Sequence, residues 1–161
     1  RWRRTERLAR VAGHRFVPAG FEAPRSLAHE RFRLEPLGPQ HNDADHAAWT
    51  SSIPHVRATT GFTDGEWPPV EGMSLEQNLD DLVRHAHDFE TGQGFTFTVL
   101  DPSDGDVMGC VYLYPAVDEH DVVVRSWVRA DRAELDTPLA DAVAAWIDSQ
   151  WPWERPDRVG R

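Results

Sequence analysis

The chain contains no lysine: all seventeen of its basic side chains are arginine, a bias of composition that carries no functional signal of its own. It has a single cysteine, Cys110, so no internal disulfide can form. The apolar setting of that residue, Gly109-Cys110-Val111-Tyr112, marks it as a buried strand thiol, as a reducing cytoplasm would keep it. No apolar run approaches the roughly 18 residues of a membrane-spanning helix. The opening Arg1-Trp2-Arg3-Arg4-Thr5-Glu6-Arg7 is not followed by the hydrophobic stretch of a secretory leader, so secretion is unsupported. Positive charge is scarce. With a formal charge of −10 and a pI near 5.1, the field of the protein argues against nucleic acid and anionic membrane as partners and suits cationic or amine substrates.

What is present is a chain of 161 residues, 40% apolar, with a mean hydropathy of −0.57, which describes one soluble domain with a single core. Its first 28 residues, basic and then broken by Gly13, Pro18, Gly20 and Pro24, read as a short helix followed by an extended arm. From Glu30 to Leu37 polar and apolar side chains alternate with the period of a half-buried strand. Asp43 to Ser51 reads as a helix ending before Ile53-Pro54, and 55–72 as loop. Within that loop, Phe62 to Pro69 has the composition of a lid or of an ordinary packed loop.

The clearest helix starts at Ser74, whose Ser74-Leu75-Glu76-Gln77 is a capping box, and ends near Gly92. Leu75, Leu79, Leu82, Val83, Ala86 and Phe89 recur at three- and four-residue spacing and predict the buried stripe. Asp80, Asp81, Arg84, His85 and Asp88 are then expected to stay wet. Phe95–Leu100 and Val107–Tyr114 flank an Asp-Gly turn and predict an antiparallel hairpin, with a further strand over 121–128. A last helix is expected to take Thr137 as N-cap and Pro138 as its first residue, before a short strand near 158–160.

This order of elements resembles the GNAT acyltransferase superfamily, in particular the branch acting on ribosomal-protein N-termini and small amines. The resemblance covers residues 30 to 160. It is carried by the first strand Arg31-Phe32-Arg33-Leu34-Glu35-Pro36-Leu37, by the hairpin Gly94–Val99 with Val107–Tyr112, and by Val124-Arg125-Ser126-Trp127-Val128 leading to the helix at Pro138. It implies a single α+β domain over 29–161, with a mixed, mainly antiparallel sheet flanked by helices, after an N-terminal arm over 1–28. It also implies acetyl-CoA as cofactor and acyl transfer to a small-molecule amine or a protein N-terminus. In the family the strand matching 122–128 splays from its neighbour, and its free backbone groups hold the pantetheine arm. Trp127, Val128, Arg129, Arg132 and Thr137 fall on the cofactor-binding positions, and the Val128 amide would polarise the thioester.

The chain departs from the family at the phosphate grip. Glycines normally let backbone N–H groups converge on phosphate oxygens at a helix N-terminus. Here that loop falls on Arg132 to Pro138, where Glu134 and Asp136 or their neighbours occupy the glycine positions. Each like-charge pair within about 4–6 Å costs on the order of 1 kcal/mol at a partly exposed site. The chain also stops where the family continues toward the acceptor side. A non-catalytic binding module on the same fold is therefore the alternative to an enzyme.

Acyl transfer needs a proton acceptor for the amine and an acid for the leaving thiolate. Glu119 and His120, just before the 121–128 strand, are the candidates for the base, and Asp118 to Asp121 reads equally as a solvated turn. Tyr112, or Tyr114, is the candidate acid, against packing at the core edge. His41, Asp43, Asp45 and His46 crowd together, but 41 and 46 diverge on a helix and His85 and His87 lie on different faces, so no metal site is expected. The aromatic groups at Trp67-Pro68-Pro69 and Trp151-Pro152-Trp153 suit core, a stacking wall or a subunit contact, and a homodimer covering the shortened sheet edge is expected.

Overall fold

The computed structural model describes residues 15–158. Six strands form one sheet in the order of the chain: β1 (Leu27–Ala28), β2 (Arg33–Pro36), β3 (Phe95–Leu100), β4 (Val107–Pro115), β5 (Val122–Val128) and β6 (Pro156–Asp157). Every neighbouring pair is antiparallel except β5 and β6, which run parallel. Four helices among the described residues flank the sheet: α1 (Asn42–Thr50), α2 (Ile53–Ala58), α3 (Leu75–Thr91) and α4 (Asp136–Gln150). The N-terminal helix predicted before Gly13 lies outside the described residues. So do Val159 and Gly160 of the predicted terminal strand, whose place is taken by β6 slightly earlier.

The hairpin forms as expected. Asp101 N–H bonds the Asp106 carbonyl at 2.9 Å, and Gly105 adopts φ of +77°, the left-handed conformation the turn requires. The residues between Ile53 and Ala58 are helix rather than loop, because Pro54 sits in the first turn, where its missing N–H has no partner to lose. The last helix also starts earlier than predicted. A 3₁₀ segment, Ala130–Leu135, runs straight into α4, so Asp136 opens the helix, Leu135 takes the cap position, and Thr137 and Pro138 lie inside the first turn.

Side chains on the two faces of the sheet divide into two cores. One packs against α4 and includes Phe97, Val111, Val128, Leu139, Val143 and Trp146. The other lies under α1 and α3 and includes Trp49, Trp67, Leu82, Tyr112, Tyr114 and Trp127. Cys110 is buried there too. Trp67, Trp151 and Trp153 are all interior, Trp153 stacking on Phe16 with ring centroids 4.7 Å apart. The rings that suggested a subunit contact are thus core.

The largest departure from expectation is the orientation of α3. Its cap is as predicted: Ser74 Oγ accepts from Gln77 N at 3.1 Å, Gln77 Oε1 accepts from Ser74 N at 3.0 Å, and Gly92 closes the helix at φ of 70°. Yet Leu75, Leu79 and Val83 are 48%, 38% and 51% exposed, while Asn78, Asp81, His85 and Asp88 are buried beside Leu82 and Phe89. At about 100° per residue, the buried arc is turned roughly a quarter revolution from the apolar one. Polar partners in the sheet and in α1 account for the rotation. The Tyr114 hydroxyl donates to Asp88 Oδ2 at 2.9 Å, and its oxygen stands 2.9 Å from His85 Nδ1, which also meets Thr96 Oγ1 at 2.9 Å. Nearer the start of the helix, Trp49 Nε1 donates to Asn78 Oδ1 at 3.0 Å, and Asn78 donates on to Asp45 at 3.0 Å. A buried network whose members satisfy one another overrides the hydrophobic period of one helix.

Candidate active site at the outer edge of β5

β5 pairs with β4 along its whole length but with β6 only at Val122 and Val123. Among the described residues, which end one residue after β6, no strand pairs with β5 on this side beyond Val123. The ladder shows which groups face it. Arg129 N–H donates to the Met108 carbonyl at 2.8 Å, so the amides of Arg129, Trp127 and Arg125 point toward β4. Alternation then directs those of Val128, Ser126 and Val124 to the opposite edge. Gly109 holds the two strands close: a Cβ there would stand 2.2 Å from the Trp127 carbonyl oxygen. This edge opens into a narrow slot lined by Thr60, Val124 and Ser126 on one side and by Ala140, Val143 and Ala144 of α4 on the other. Of the residues expected here, Val128 directs its amide to this edge, whereas the Trp127 side chain lies on the other face of the sheet, its Nε1 donating to the Tyr112 hydroxyl at 2.9 Å.

At the far end of β5 the arginines are already engaged. Arg129 donates to both carboxylate oxygens of Asp131, at 2.9 and 2.6 Å, and to Asp106 at 2.6 Å. Those bonds, led by the ones to Asp131, raise the guanidinium pKa further above its ordinary value, and Arg129 in turn lowers that of Asp131. Arg132 donates to Asp101 at 3.3 Å, a carboxyl held below its usual range first by the Ser103 hydroxyl and amide and then by Arg132. Glu134 is exposed beside Arg132 and Asp101 in an open cleft, Asp136 is half-buried and Thr137 is exposed.

The expected catalytic residues are not brought together. Glu119 and His120 precede β5 at its opposite end from Val128, and the eight residues from His120 to Val128 span about 26 Å of extended chain. Tyr112 is buried under Trp67 and Phe62 on the face away from α4. The Asp88, Tyr114, His85 and Thr96 network went unread because His85 and Asp88 fell on the helix face assigned to solvent. Their three-residue spacing, which places both on one side of α3, was the available signal.

No family model matches the chain, and no curated protein matches it. Solved structures do. The ribosomal-protein-S5-alanine acetyltransferase from Vibrio fischeri superposes with a TM-score of 0.59 at 15% identity, over 76% of this chain and 65% of that one. The ribosomal L7/L12 alpha-N-protein acetyltransferase RimL gives 0.58 at 12% identity, over 82% and 69%. The microcin C7 self-immunity acetyltransferase MccE, solved with acetyl-CoA and AMP, gives 0.57 at 10% identity, over 79% and 69%. The fold is the GNAT fold. This chain spans just under two thirds of the length of the first of these structures. No helix among the described residues is long and apolar enough to cross a membrane.

Proposed function

We propose that this chain is an acetyl-CoA-dependent N-acyltransferase that holds the thioester arm along the outer edge of β5. The observation that carries the reading is the slot between β5 and α4, lined by Val124, Ser126, Ala140, Val143 and Ala144, toward which the amides of Val124, Ser126 and Val128 are directed. An edge of this kind pairs with an extended amide chain as another strand would. Bound there, acetyl-CoA would supply an activated acyl group. The Val128 N–H would then act as a fixed hydrogen-bond donor to the acyl carbonyl oxygen, where negative charge grows during attack. The acceptor is an amine, of a small molecule or a protein N-terminus, and the net charge of −10 favours its cationic form on approach.

The residues fit the arm better than the diphosphate. No glycine lies between Arg129 and Pro138, Glu134 and Asp136 add negative charge, and Arg129 and Arg132 already bind carboxylates. Phosphate oxygens would have to displace Asp106, Asp131 or Asp101 from these guanidinium groups. That same observation favours the second reading, a GNAT-fold module that binds something other than acetyl-CoA. Isothermal titration with acetyl-CoA, and with dephospho-CoA as control, separates the two. Micromolar binding that weakens on Val143→Trp, which fills the slot, supports the enzyme. Absence of binding up to millimolar acetyl-CoA overturns it.

A further inference from the structure

We propose that Asp118, His120 and Asp157 form a binding site for a divalent transition metal of the zinc class where β6 joins β5. One ligand atom from each residue lies within 4.8 Å of the others, and among the described residues no other such group occurs. An imidazole with two carboxylates is a donor set for Zn²⁺, Co²⁺ or Mn²⁺, and it neutralises a dication. An all-oxygen set would instead suit magnesium or calcium.

The ligands are held by the sheet rather than by their own side-chain contacts alone. Asp121 N–H bonds the Arg155 carbonyl at 2.8 Å, Asp121 Oδ2 accepts from the amides of Glu154 and Arg155 at 3.0 and 2.9 Å, and Val122 and Val123 pair with Pro156 and Asp157. These bonds fix the backbone on which His120 and Asp157 sit, although the two are far apart in sequence. Asp118 Oδ1 accepts from both the amide and Nδ1 of His120 at 2.9 Å, so the imidazole is already oriented. Binding replaces the ring proton at Nδ1 by the ion, which then bridges the imidazole to the Asp118 carboxylate. The three residues face the solvent, and Asp118 and His120 line an open cavity with Glu119, so hydrated ions reach the site directly. Arg125 is 3.9 Å from Asp157 and is the cation that the metal would displace. A bound ion would clamp β6 to the turn before β5 and so brace the start of β5.

The test is titration of the whole purified protein, after EDTA treatment, with ZnCl₂ and separately with CoCl₂. One equivalent of Zn²⁺ binding in the micromolar range is expected, with a Co²⁺ visible spectrum of nitrogen and oxygen ligation. Asp157→Asn and His120→Gln should each weaken binding by at least about tenfold, with unchanged circular dichroism. His87→Gln, on exposed helix surface, should leave it unaltered. Dissociation constants no tighter than millimolar would overturn the proposal, as would equal affinity in the wild type and both cluster variants.

Discussion

If α3 faces the sheet with its polar arc, two substitutions should reverse the usual ranking of core damage. Tyr114→Phe keeps the ring and removes only the hydroxyl that donates to Asp88 Oδ2 and meets His85 Nδ1, each at 2.9 Å. Loss of a hydrogen bond to a carboxylate costs about 1.5–3 kcal/mol and that to the imidazole about 1 kcal/mol, so the variant should lose about 3 kcal/mol. For a domain of this size that lowers the melting midpoint by roughly 6–12 °C. Val83→Ala removes two methyl groups from a side chain that is 51% exposed. Were the apolar stripe buried, the change would cost about 2 kcal/mol or more through lost transfer energy and a cavity. On the observed surface, the better helix propensity of alanine offsets what packing is lost, and the change should stay within about 0.5 kcal/mol. Urea unfolding followed by tryptophan fluorescence, with the slope unchanged between variants, reads both. A severe Val83→Ala with a mild Tyr114→Phe would refute the orientation of the helix and the explanation given for it.

Three further outcomes are expected. Gly109→Ala should destabilise by roughly 3 kcal/mol or more, because its Cβ would collide with the Trp127 carbonyl oxygen at 2.2 Å, and a thermal midpoint near that of the wild type would refute the close approach. Glu134→Gln should tighten acetyl-CoA binding about threefold to tenfold at low ionic strength, with the gain shrinking as salt rises; an unchanged or weaker affinity in calorimetry would show that Glu134 does not face the diphosphate. In metal-free buffer, hydrogen bonding to Asp118 raises the His120 pKa, and the amide and ring of His120 lower that of Asp118. The His120 contribution to stability is full below about pH 6.5 and is lost as pH rises through its folded value. The Asp118 contribution is present above about pH 3.9 and is lost as pH falls. The pair therefore stabilises most between these limits, and Asp118→Asn should lower the NMR-detected titration point of His120, an unchanged titration refuting the pairing.

Elements whose signals are local were legible in the sequence. The Ser74 cap, the Asp101 to Asp106 turn and the hairpin strands are written in neighbouring residues, and they formed within a residue or so of expectation. The expectation that the strand over 122–128 holds the cofactor arm came only through the GNAT resemblance, since nothing in the residues near Val124 marks it. Long-range partnership was invisible. His85 and Asp88 look like surface charges until Tyr114 and Thr96 are known to lie beneath them. Asp157 looks like a terminal carboxylate until β6 brings it to His120. Arg129 and Arg132 were expected to be free for phosphate, and the carboxylates that engage them, Asp106 and Asp101, come from the distant hairpin turn.

The pairing of Phe16 with Trp153 has a bearing on how this molecule can be rebuilt. The Trp153 indole N–H donates to the Phe16 carbonyl at 2.9 Å, so the first and last parts of the described body meet at one place. Opening the chain between Pro102 and Asp104 in the exposed hairpin turn would leave one fragment that ends in β3 and carries Phe16 and another that begins with β4 and carries Trp153, with every strand neighbour in the sheet kept. The antiparallel pairing of β3 with β4 would then form the seam between two separately expressible halves, which is the arrangement required of a split reporter.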